Sequence, residues 1–123
     1  MKITLPEIIT YCTVKQGAAH EYKTAWEADV FTVGGKMFGF VGADKSGAAI
    51  INLKNEPHEN LDLRAEFDDW VTPGYYSNKD HWNSWYWQKP GANWQLLKQQ
   101  IDCSYELILA SLSKKQQQII RGE

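Results

Sequence analysis

The stretch "DVFTVGGKMFGFVGA", residues 29–43, decides the fold of this chain. It contains two short runs rich in β-branched and aromatic residues, 30–33 and 36–41, which flank Gly34 and Gly35. A pair of glycines between two such runs favours a tight hairpin, because glycine readily adopts the positive φ angles that primed turns require. The stretch therefore predicts two antiparallel strands that form the first hairpin of a sheet.

Further strands are expected on the C-terminal side of this hairpin. After the turn "ADKSG", the segment "GAAIINLKN" (residues 47–55) predicts a third strand and extends the hairpin into an antiparallel meander. The later segment "HWNSWYW" (81–87) alternates well enough for another strand, with Trp82, Ser84 and Tyr86 on one face.

Three helical segments surround these strands. Thr4 and Glu7 form a capping-box pattern that begins the first helix, which should end near Gly17. A second helix begins near Pro57, and a long amphipathic helix covers residues 92–112. The second helix would supply Leu61, Leu63 and Phe67 to the core.

The order of these elements predicts the fold class. Strands in one block with helices before, between and after them are typical of an α+β two-layer sandwich, an antiparallel sheet packed against helices. We expect one domain over residues 1–123, since the chain is too short for two ordinary domains. Residues 113–123 are polar and are expected to form a frayed tail.

The charge balance limits the kinds of partner. The chain has 13 basic and 15 acidic residues, a net charge of −2, and no strongly basic block. A strong, non-specific nucleic-acid binder needs a concentrated positive surface, which folding would have to assemble here. No apolar run approaches the roughly 20 residues that span a bilayer, and the N-terminal residues do not resemble a secretory signal. We therefore expect a soluble cytoplasmic protein.

The two cysteines, Cys12 and Cys103, lie far apart in the sequence, and neither has a Cys or His at metal-ligand spacing. A chain of this length does not need a disulfide to stabilise its core. Because free cysteine is among the most often buried residue types, we expect two reduced, mostly buried thiols.

None of the usual catalytic patterns is present. There is no G-x-S-x-G segment, and His20, His58 and His81 are dispersed rather than spaced as metal ligands. The segment "VGGKMFG" has two glycines and a lysine, but the strand patterns on both sides make it a hairpin rather than a phosphate-binding loop. We expect a protein that is not an enzyme and that has no metal and no cofactor.

The segment "GYYSNKDHWNSWYW", residues 74–87, has two interpretations. Its polar side chains can donate hydrogen bonds to phosphates or base edges while its rings stack on bases. Alternatively, Tyr75 and Trp82 fill the core and the polar residues close a turn. Composition alone favours the second interpretation.

Four segments, taken together, resemble a known family. They are "VFTVGGKMFGF" (30–40), "INLKNEP" (51–57), "PGYYSNKDHWN" (73–83) and "SYELI" (104–108). Each fragment alone is weak, but all four stand in family order across nearly the whole chain. On these segments the sequence resembles the MmcQ/YjbR family, a group of small bacterial proteins to which DNA binding is often ascribed.

The resemblance implies a CyaY-like α+β fold, with a curved antiparallel sheet packed on helices. It also implies a DNA-binding role, which in the family rests on likeness of fold and so does not by itself establish function. The positions that carry over to a nucleic-acid site are Lys36, Lys54, Asn78, Lys79, His81, Trp82, Asn83, Ser104 and Tyr105.

Two functions follow as hypotheses. In the first, the protein binds double-stranded DNA weakly, and Lys36, Lys54 and Lys79 contact phosphates. In the second, it is a protein-interaction or small-ligand-binding module whose aromatic sheet face, bearing Trp85 and Trp87 beside Trp82, docks the partner. Neither hypothesis involves a membrane, and both leave the oligomeric state open.

Overall fold

A computed structural model, which describes residues 2–122, shows a six-stranded sheet in which every pair of neighbouring strands is antiparallel. The strands are β1 (Ala18–Lys23), β2 (Ala28–Val33), β3 (Lys36–Ala43), β4 (Ala49–Lys54), β5 (Val71–Pro73) and β6 (Trp82–Trp85). Their order across the sheet is β1-β2-β3-β4-β6-β5, so the last two strands exchange places relative to the sequence.

Four helices complete the described part of the chain. They are α1 (Leu5–Thr13), α2 (Pro57–Glu66), α3 (Trp94–Ala110) and α4 (Lys114–Arg121). Helix α3 packs along β2, β3 and β4, while α1 contacts β1 and α2 contacts β5 and β6. This arrangement confirms the predicted α+β sandwich of an antiparallel sheet and helices. Between residues 2 and 122, no helix is long and apolar enough to cross a membrane.

The predicted hairpin forms at Gly34 and Gly35, with Val33 opposite Lys36. Both glycines have positive φ angles, 58° and 81°, as a primed turn requires. Gly34 also lies against Leu112, two residues beyond helix α3, because a Cβ there would lie 2.5 Å from the Leu112 Cδ1 atom. The turn therefore sets the pairing of Val33 with Lys36 and of Thr32 with Met37, before the register shifts between Phe31 and Thr32, and it brings the shared end of β2 and β3 close to the C-terminal end of α3.

The main core lies between the sheet and the helices. Phe31 on β2 and Ile101 on α3 have no exposed surface and belong to this core. Ala28, Val30 and Phe40 form a second, smaller cluster. Because side chains alternate along a strand, Val30 and Phe31 point to opposite faces, which places the small cluster on the face away from the helices.

The helix ends follow the local sequence signals. Thr4 and Glu7 form the predicted capping box, and α1 ends at Thr13, a few residues before Gly17. Leu63 in α2 and Phe67, which follows it, pack against the core as expected, but Leu61 is exposed. The prediction that Leu61 enters the core was wrong, because the segment presents only one narrow apolar stripe to the sheet.

The two edge strands carry the weakest sequence signals. In β1 only the end residues are partly buried, so its side chains show little alternation. Strand β5 has three residues and ends at Pro73, which has no N–H to donate to a further strand. Short, weakly patterned edge strands are expected where a sheet must avoid pairing with other chains.

The C-terminal residues form a helix where the sequence predicted fraying. Ser113 caps α4 by accepting a hydrogen bond from the Gln116 N–H. Ile120 packs against Gly17 and the core, and Arg121 forms an ion pair with Glu106 at 3.1 Å. The cap and this tertiary contact, rather than intrinsic helix propensity, account for the difference.

The two cysteines differ in their environment. Cys12 has no exposed surface, and burial raises the pKa of its thiol to about 12. Cys103 is exposed, so the prediction that both thiols are buried holds only for Cys12. The position of Cys103 on the outer side of α3 accounts for this, since its neighbours Ser104 and Ile101 take the inner side.

Candidate nucleic-acid interface

Three lysines of the predicted site lie at one end of the sheet. Lys36 begins β3, and Lys54 ends β4. Lys54 pairs with Trp82, the first residue of β6, so the loop that precedes β6 and carries Lys79 lies at the same end. This follows from the antiparallel order of the strands, in which the start of one strand lies beside the end of the next. We call Lys36, Lys54, Lys79 and His81 together the basic sheet end.

The lysines of the basic sheet end leave the sheet in different directions. Lys36 is exposed, and its Nζ donates at 3.4 Å to Oγ of Ser111, the residue that follows α3, so it lies on the side of the helices. Lys54 follows Leu53, which faces the core, and alternation directs Lys54 to the opposite face. The two charges share an end of the sheet but border its two faces, so they form a basic rim rather than a flat patch.

The loop before β6 is closed by its own polar side chains. Asn78 Oδ1 accepts a hydrogen bond from the Asp80 N–H at 2.9 Å, and the Asn78 carbonyl accepts one from the Trp82 N–H at 2.9 Å. Lys79 Nζ donates to the Gly74 carbonyl at 2.8 Å and lies near the Tyr75 ring. Asn78 and Lys79 therefore help to hold the loop, and Lys79 keeps donor capacity for a further acceptor.

His81 and Trp82 complete the exposed part of this end. The His81 side chain is exposed, while its backbone carbonyl accepts a hydrogen bond from the Asn55 N–H at 3.0 Å. Trp82 is partly buried and pairs with Lys54. Its backbone N–H bonds to the Asn78 carbonyl and so helps to close the turn.

Three other predicted site residues are buried. Ser104 and Asn83 have no exposed surface, and Tyr105 is nearly enclosed. Ser104 Oγ donates to the Phe38 carbonyl and accepts from the Lys54 N–H at 2.8 Å, so it holds the ends of β3 and β4 on α3. In this conformation the three side chains do not form the surface of the basic sheet end.

Helix α2 supplies two residues that the sequence analysis missed. Arg64 Nε donates to Asn83 Oδ1 at 2.6 Å, and Arg64 Nη2 donates to the Lys79 carbonyl. Asn60 Nδ2 donates to the Asp80 carbonyl at 3.1 Å. Burial lowers the pKa of the Arg64 guanidinium, opposed by the nearby Asp80 charge. The spacing of Asn60 and Arg64, four residues apart on one helix face, is the sequence signal that could have pointed to them.

The charges of the basic sheet end are not neutralised by ion pairs. Within residues 2–122, the ion pairs involve Lys15, Lys23, Arg121 and two histidines, but none of Lys36, Lys54 and Lys79. The acidic residues Glu56 and Asp80 are nevertheless close in sequence to this end, and both are exposed. The site can therefore attract an anion, with a strength that these carboxylates reduce.

Comparison with known proteins identifies the family. The YjbR family model matches residues 14–107, which contain all six strands and most of α3. The chain belongs to the YjbR family. The resemblance noted from four sequence segments is thus confirmed.

Two curated relatives of this YjbR-family chain are bacterial. The uncharacterised protein YbdF of Escherichia coli O157:H7 is 37% identical over 97 residues, which cover 77% of this chain and 75% of YbdF. The uncharacterised protein YjbR of Escherichia coli K12 is 26% identical over 118 residues, covering 96% of this chain and 98% of YjbR.

Two solved structures share the fold. Protein DR2400 of Deinococcus radiodurans, which has a DUF419 domain, superposes with a TM-score of 0.84 at 22% identity, covering 96% of this chain and 88% of that one. A protein from Pseudomonas syringae superposes with a TM-score of 0.74 at 18% identity, covering 86% and 99%. At these identities the likeness concerns the fold alone.

Trp85 and Trp87 of this YjbR-family chain are core residues. Trp85 is 1% exposed and packs edge-on against Trp70, with ring centres 5.0 Å apart, and Trp87 is 5% exposed. The hypothesis that Trp85 and Trp87 form a docking face was therefore wrong. Strand β6 lies between β4 and β5, and the ring of Trp85 on its inner face fills the space beneath the helices.

Proposed function

We propose that this YjbR-family chain is a non-enzymatic, cytoplasmic bacterial protein that binds double-stranded DNA weakly through the basic sheet end. The observation that carries the proposal is the position of Lys36, Lys54 and Lys79 at one end of the sheet, outside any ion pair in the described residues. Lysine side chains at the rim of the sheet are suited to contact the phosphate backbone of DNA, because an ammonium group binds a phosphate as a point charge.

The proposed affinity is low for an electrostatic reason. Each lysine that neutralises a phosphate releases counterions, so three contacts give a slope of about −2.7 in log K against log salt. The net charge of −2 and the exposed Glu56 and Asp80 oppose the approach of a polyanion. Binding is thus expected at low salt and should weaken strongly near physiological salt.

The remaining predicted residues take different roles in this proposal. His81 offers its exposed ring beside the lysines. Asn83, Ser104 and Tyr105 are positioning residues, since their polar atoms already bond within the protein. Arg64 belongs with this second group.

A salt titration of binding to a fluorescent DNA duplex tests the proposal. Anisotropy measured from about 20 to about 200 mM salt should give a slope between about −2 and −3, and each of Lys36→Gln and Lys54→Gln should reduce its magnitude by about 1. Lys45→Gln is the matched control, because Lys45 is exposed in the turn between β3 and β4 at the opposite end of the sheet. Absence of binding at the lowest salt, or an equal effect of Lys45→Gln, overturns the proposal.

A protein-interaction role is the second candidate function, and it would use exposed aromatic side chains other than Trp85 and Trp87. Trp26 is 57% exposed and Tyr76 is 65% exposed, in a structure whose other tryptophans are mostly covered. Tyr76 has a φ of 61°, a conformation that costs a non-glycine residue energy, and its hydroxyl donates to the Ala43 carbonyl. Under this alternative, Trp26→Ser abolishes the capture of a protein partner and leaves the DNA salt slope unchanged.

A further inference from the structure

A cleft of about 600 Å³ lies between the residues that precede α1 and the loop that follows β6. Residues 2–3 form one wall, and residues 87–90 with Ala92 form the other. The cleft follows the C-terminal end of β6, whereas the basic sheet end adjoins its N-terminal end. It is therefore separate from the proposed DNA site, and its volume is in the range of small-molecule sites.

The lining combines apolar walls with positive charge. Ile3, Pro90 and the Trp87 ring supply apolar surface, while Lys2 and Lys89 supply two ammonium groups. Among the described residues, no carboxylate lines the cleft. A lining of this composition favours a ligand that has an apolar body and a negative charge.

Among the ion pairs of residues 2–122, none neutralises Lys2 or Lys89. Lys89 Nζ lies 4.8 Å from the centre of the Tyr86 ring, a contact that holds the ammonium without neutralising it. The carboxylate of Asp69 lies beside this loop, where it occupies the space that a Cβ at Gly91 would take. Neither Asp69 nor Gly91 lines the cleft.

Trp87 provides an independent indication of a ligand. Its side chain is more than nine-tenths buried, and Nε1 is the one buried side-chain nitrogen or oxygen in the described residues without a hydrogen-bond partner. A buried donor without an acceptor costs about 1–3 kcal/mol. An acceptor supplied by a ligand would recover this cost.

A ligand can reach the indole N–H of Trp87 only if the loop that follows β6 moves. Nε1 belongs to a residue that lines the cleft, but the atom itself has almost no exposed surface. Residues 88–91 are exposed and are closed by two turn hydrogen bonds, from the Lys89 N–H to the Tyr86 carbonyl and from the Ala92 N–H to the Lys89 carbonyl. A short exposed loop of this kind can shift by a small amount at low cost.

We propose that this cleft binds a small organic anion, whose carboxylate lies between Lys2 and Lys89 and accepts a hydrogen bond from Trp87 Nε1, and whose apolar part packs on Ile3 and Pro90. The two ammonium groups provide charge-assisted hydrogen bonds, and the indole fixes the orientation of the carboxylate. Inorganic phosphate satisfies the charges but leaves the apolar walls uncovered, so it should bind more weakly.

A titration followed by the NMR signals of the tryptophan indole N–H groups tests this proposal, with benzoate, benzamide and phosphate as probes. Trp87→Phe, which removes only the N–H and part of the ring, assigns the signal of Trp87. Benzoate should shift that signal in a saturable way, and benzamide, which has the same shape without the charge, should bind at least about tenfold more weakly. Equal effects of benzoate and benzamide, a shift that does not saturate, or tighter binding of phosphate overturn the proposal.

Substitutions of exposed residues keep the test informative if Trp87→Phe does not fold. Lys2→Gln and Lys89→Gln should each weaken benzoate binding about five- to tenfold, in line with the loss of one charge-assisted contact. Lys36→Gln is the control, because it alters the basic sheet end and should leave benzoate binding unchanged. An unchanged benzoate affinity in both Lys2→Gln and Lys89→Gln contradicts the proposed site, whatever the outcome with DNA.

Discussion

Arg64 Nε donates to Oδ1 of Asn83 at 2.6 Å, and this bond ties helix α2 to strand β6 beneath the basic sheet end. The same guanidinium reaches the carbonyls of Lys79 and Trp82 through Nη2. Arg64 therefore ties the loop that carries Lys79 and His81 to α2, in addition to the bonds within the loop. The planar, forked arrangement of its donors is what allows a single residue to hold three acceptors.

Arg64→Lys should loosen this loop while retaining the positive charge. The ammonium group cannot reproduce the fork, so Asn83 and the loop carbonyls lose partners, and the free energy of unfolding should fall by about 1.5–3 kcal/mol. Urea denaturation measures this change. Hydrogen exchange should also become faster at the amides of residues 78–82.

Arg121→Lys is the matched control for this substitution. Arg121 pairs with Glu106 at the surface of α4, where both side chains remain partly exposed. A surface pair of this kind contributes less than about 1 kcal/mol, so the substitution should change stability little. If the two arginine variants lose the same stability, Arg64 does not have the role assigned to it.

The sequence predicted the parts of the fold that depend on local signals. The Gly34–Gly35 turn and the Thr4 capping box both involve residues within a few positions of each other, and both were found where expected. The roles of Ser104 and Asn83 could not be predicted in this way. Ser104 bonds to Phe38, 66 residues away, so no pattern within one segment shows the contact.

The candidate site was predicted as a set of residues but not as a surface. The sequence placed Lys36, Lys54 and Lys79 at the ends of elements, and the order of the strands in space brings those ends together. The sequence did not show which of the predicted site residues are exposed and which are buried. The alternation in residues 82–87 is compatible with either face of a strand being buried. Burial of Trp85 depends on Trp70, which lies outside the segment.

Trp85→Ser and Trp26→Ser form a pair that distinguishes core from surface rings. Trp85 lies in the main core, and its removal leaves a cavity, so the free energy of unfolding should fall by about 3–5 kcal/mol or the chain should fail to fold. Trp26 is exposed and contacts Lys23 Nζ at 4.8 Å from the ring centre, a contact that contributes about 1 kcal/mol or less. Thermal and urea denaturation of both variants compare them directly, and similar losses would contradict the assignment of Trp85 to the core.

Asp44 makes the free energy of unfolding depend on pH in the acidic range. Hydrogen bonds from Ser46 and from the Tyr86 hydroxyl lower the pKa of this carboxyl from 3.8 to about 2. Because the pKa is lower in the folded state, the charged form stabilises the fold above about pH 4, and this contribution is lost as the pH falls from about 4 to about 2. The free energy of unfolding should therefore decrease through that window.

Tyr86→Phe tests the origin of this dependence. It removes one of the donors to the carboxylate, so the pKa of Asp44, followed by carbon NMR of its carboxyl group, should move upward towards 3.8. Asp44→Asn should abolish the part of the pH dependence that this residue contributes. An Asp44 signal that titrates near 3.8 in the unsubstituted protein would be inconsistent with the hydrogen bonds described.

Gly34→Ala and Gly35→Ala separate backbone strain from a steric clash in the central hairpin. Both residues have positive φ angles, so alanine costs about 1 kcal/mol at either position. A Cβ at Gly35 meets nothing within 4 Å, whereas a Cβ at Gly34 would lie 2.5 Å from Leu112 Cδ1 at the end of α3. Gly34→Ala should therefore lose about 1–3 kcal/mol more than Gly35→Ala in urea denaturation, as expected for overpacking. Shortening the contacting side chain with Leu112→Ala should remove most of that difference, and a difference that persists would show that the contact between the hairpin and α3 is not its cause.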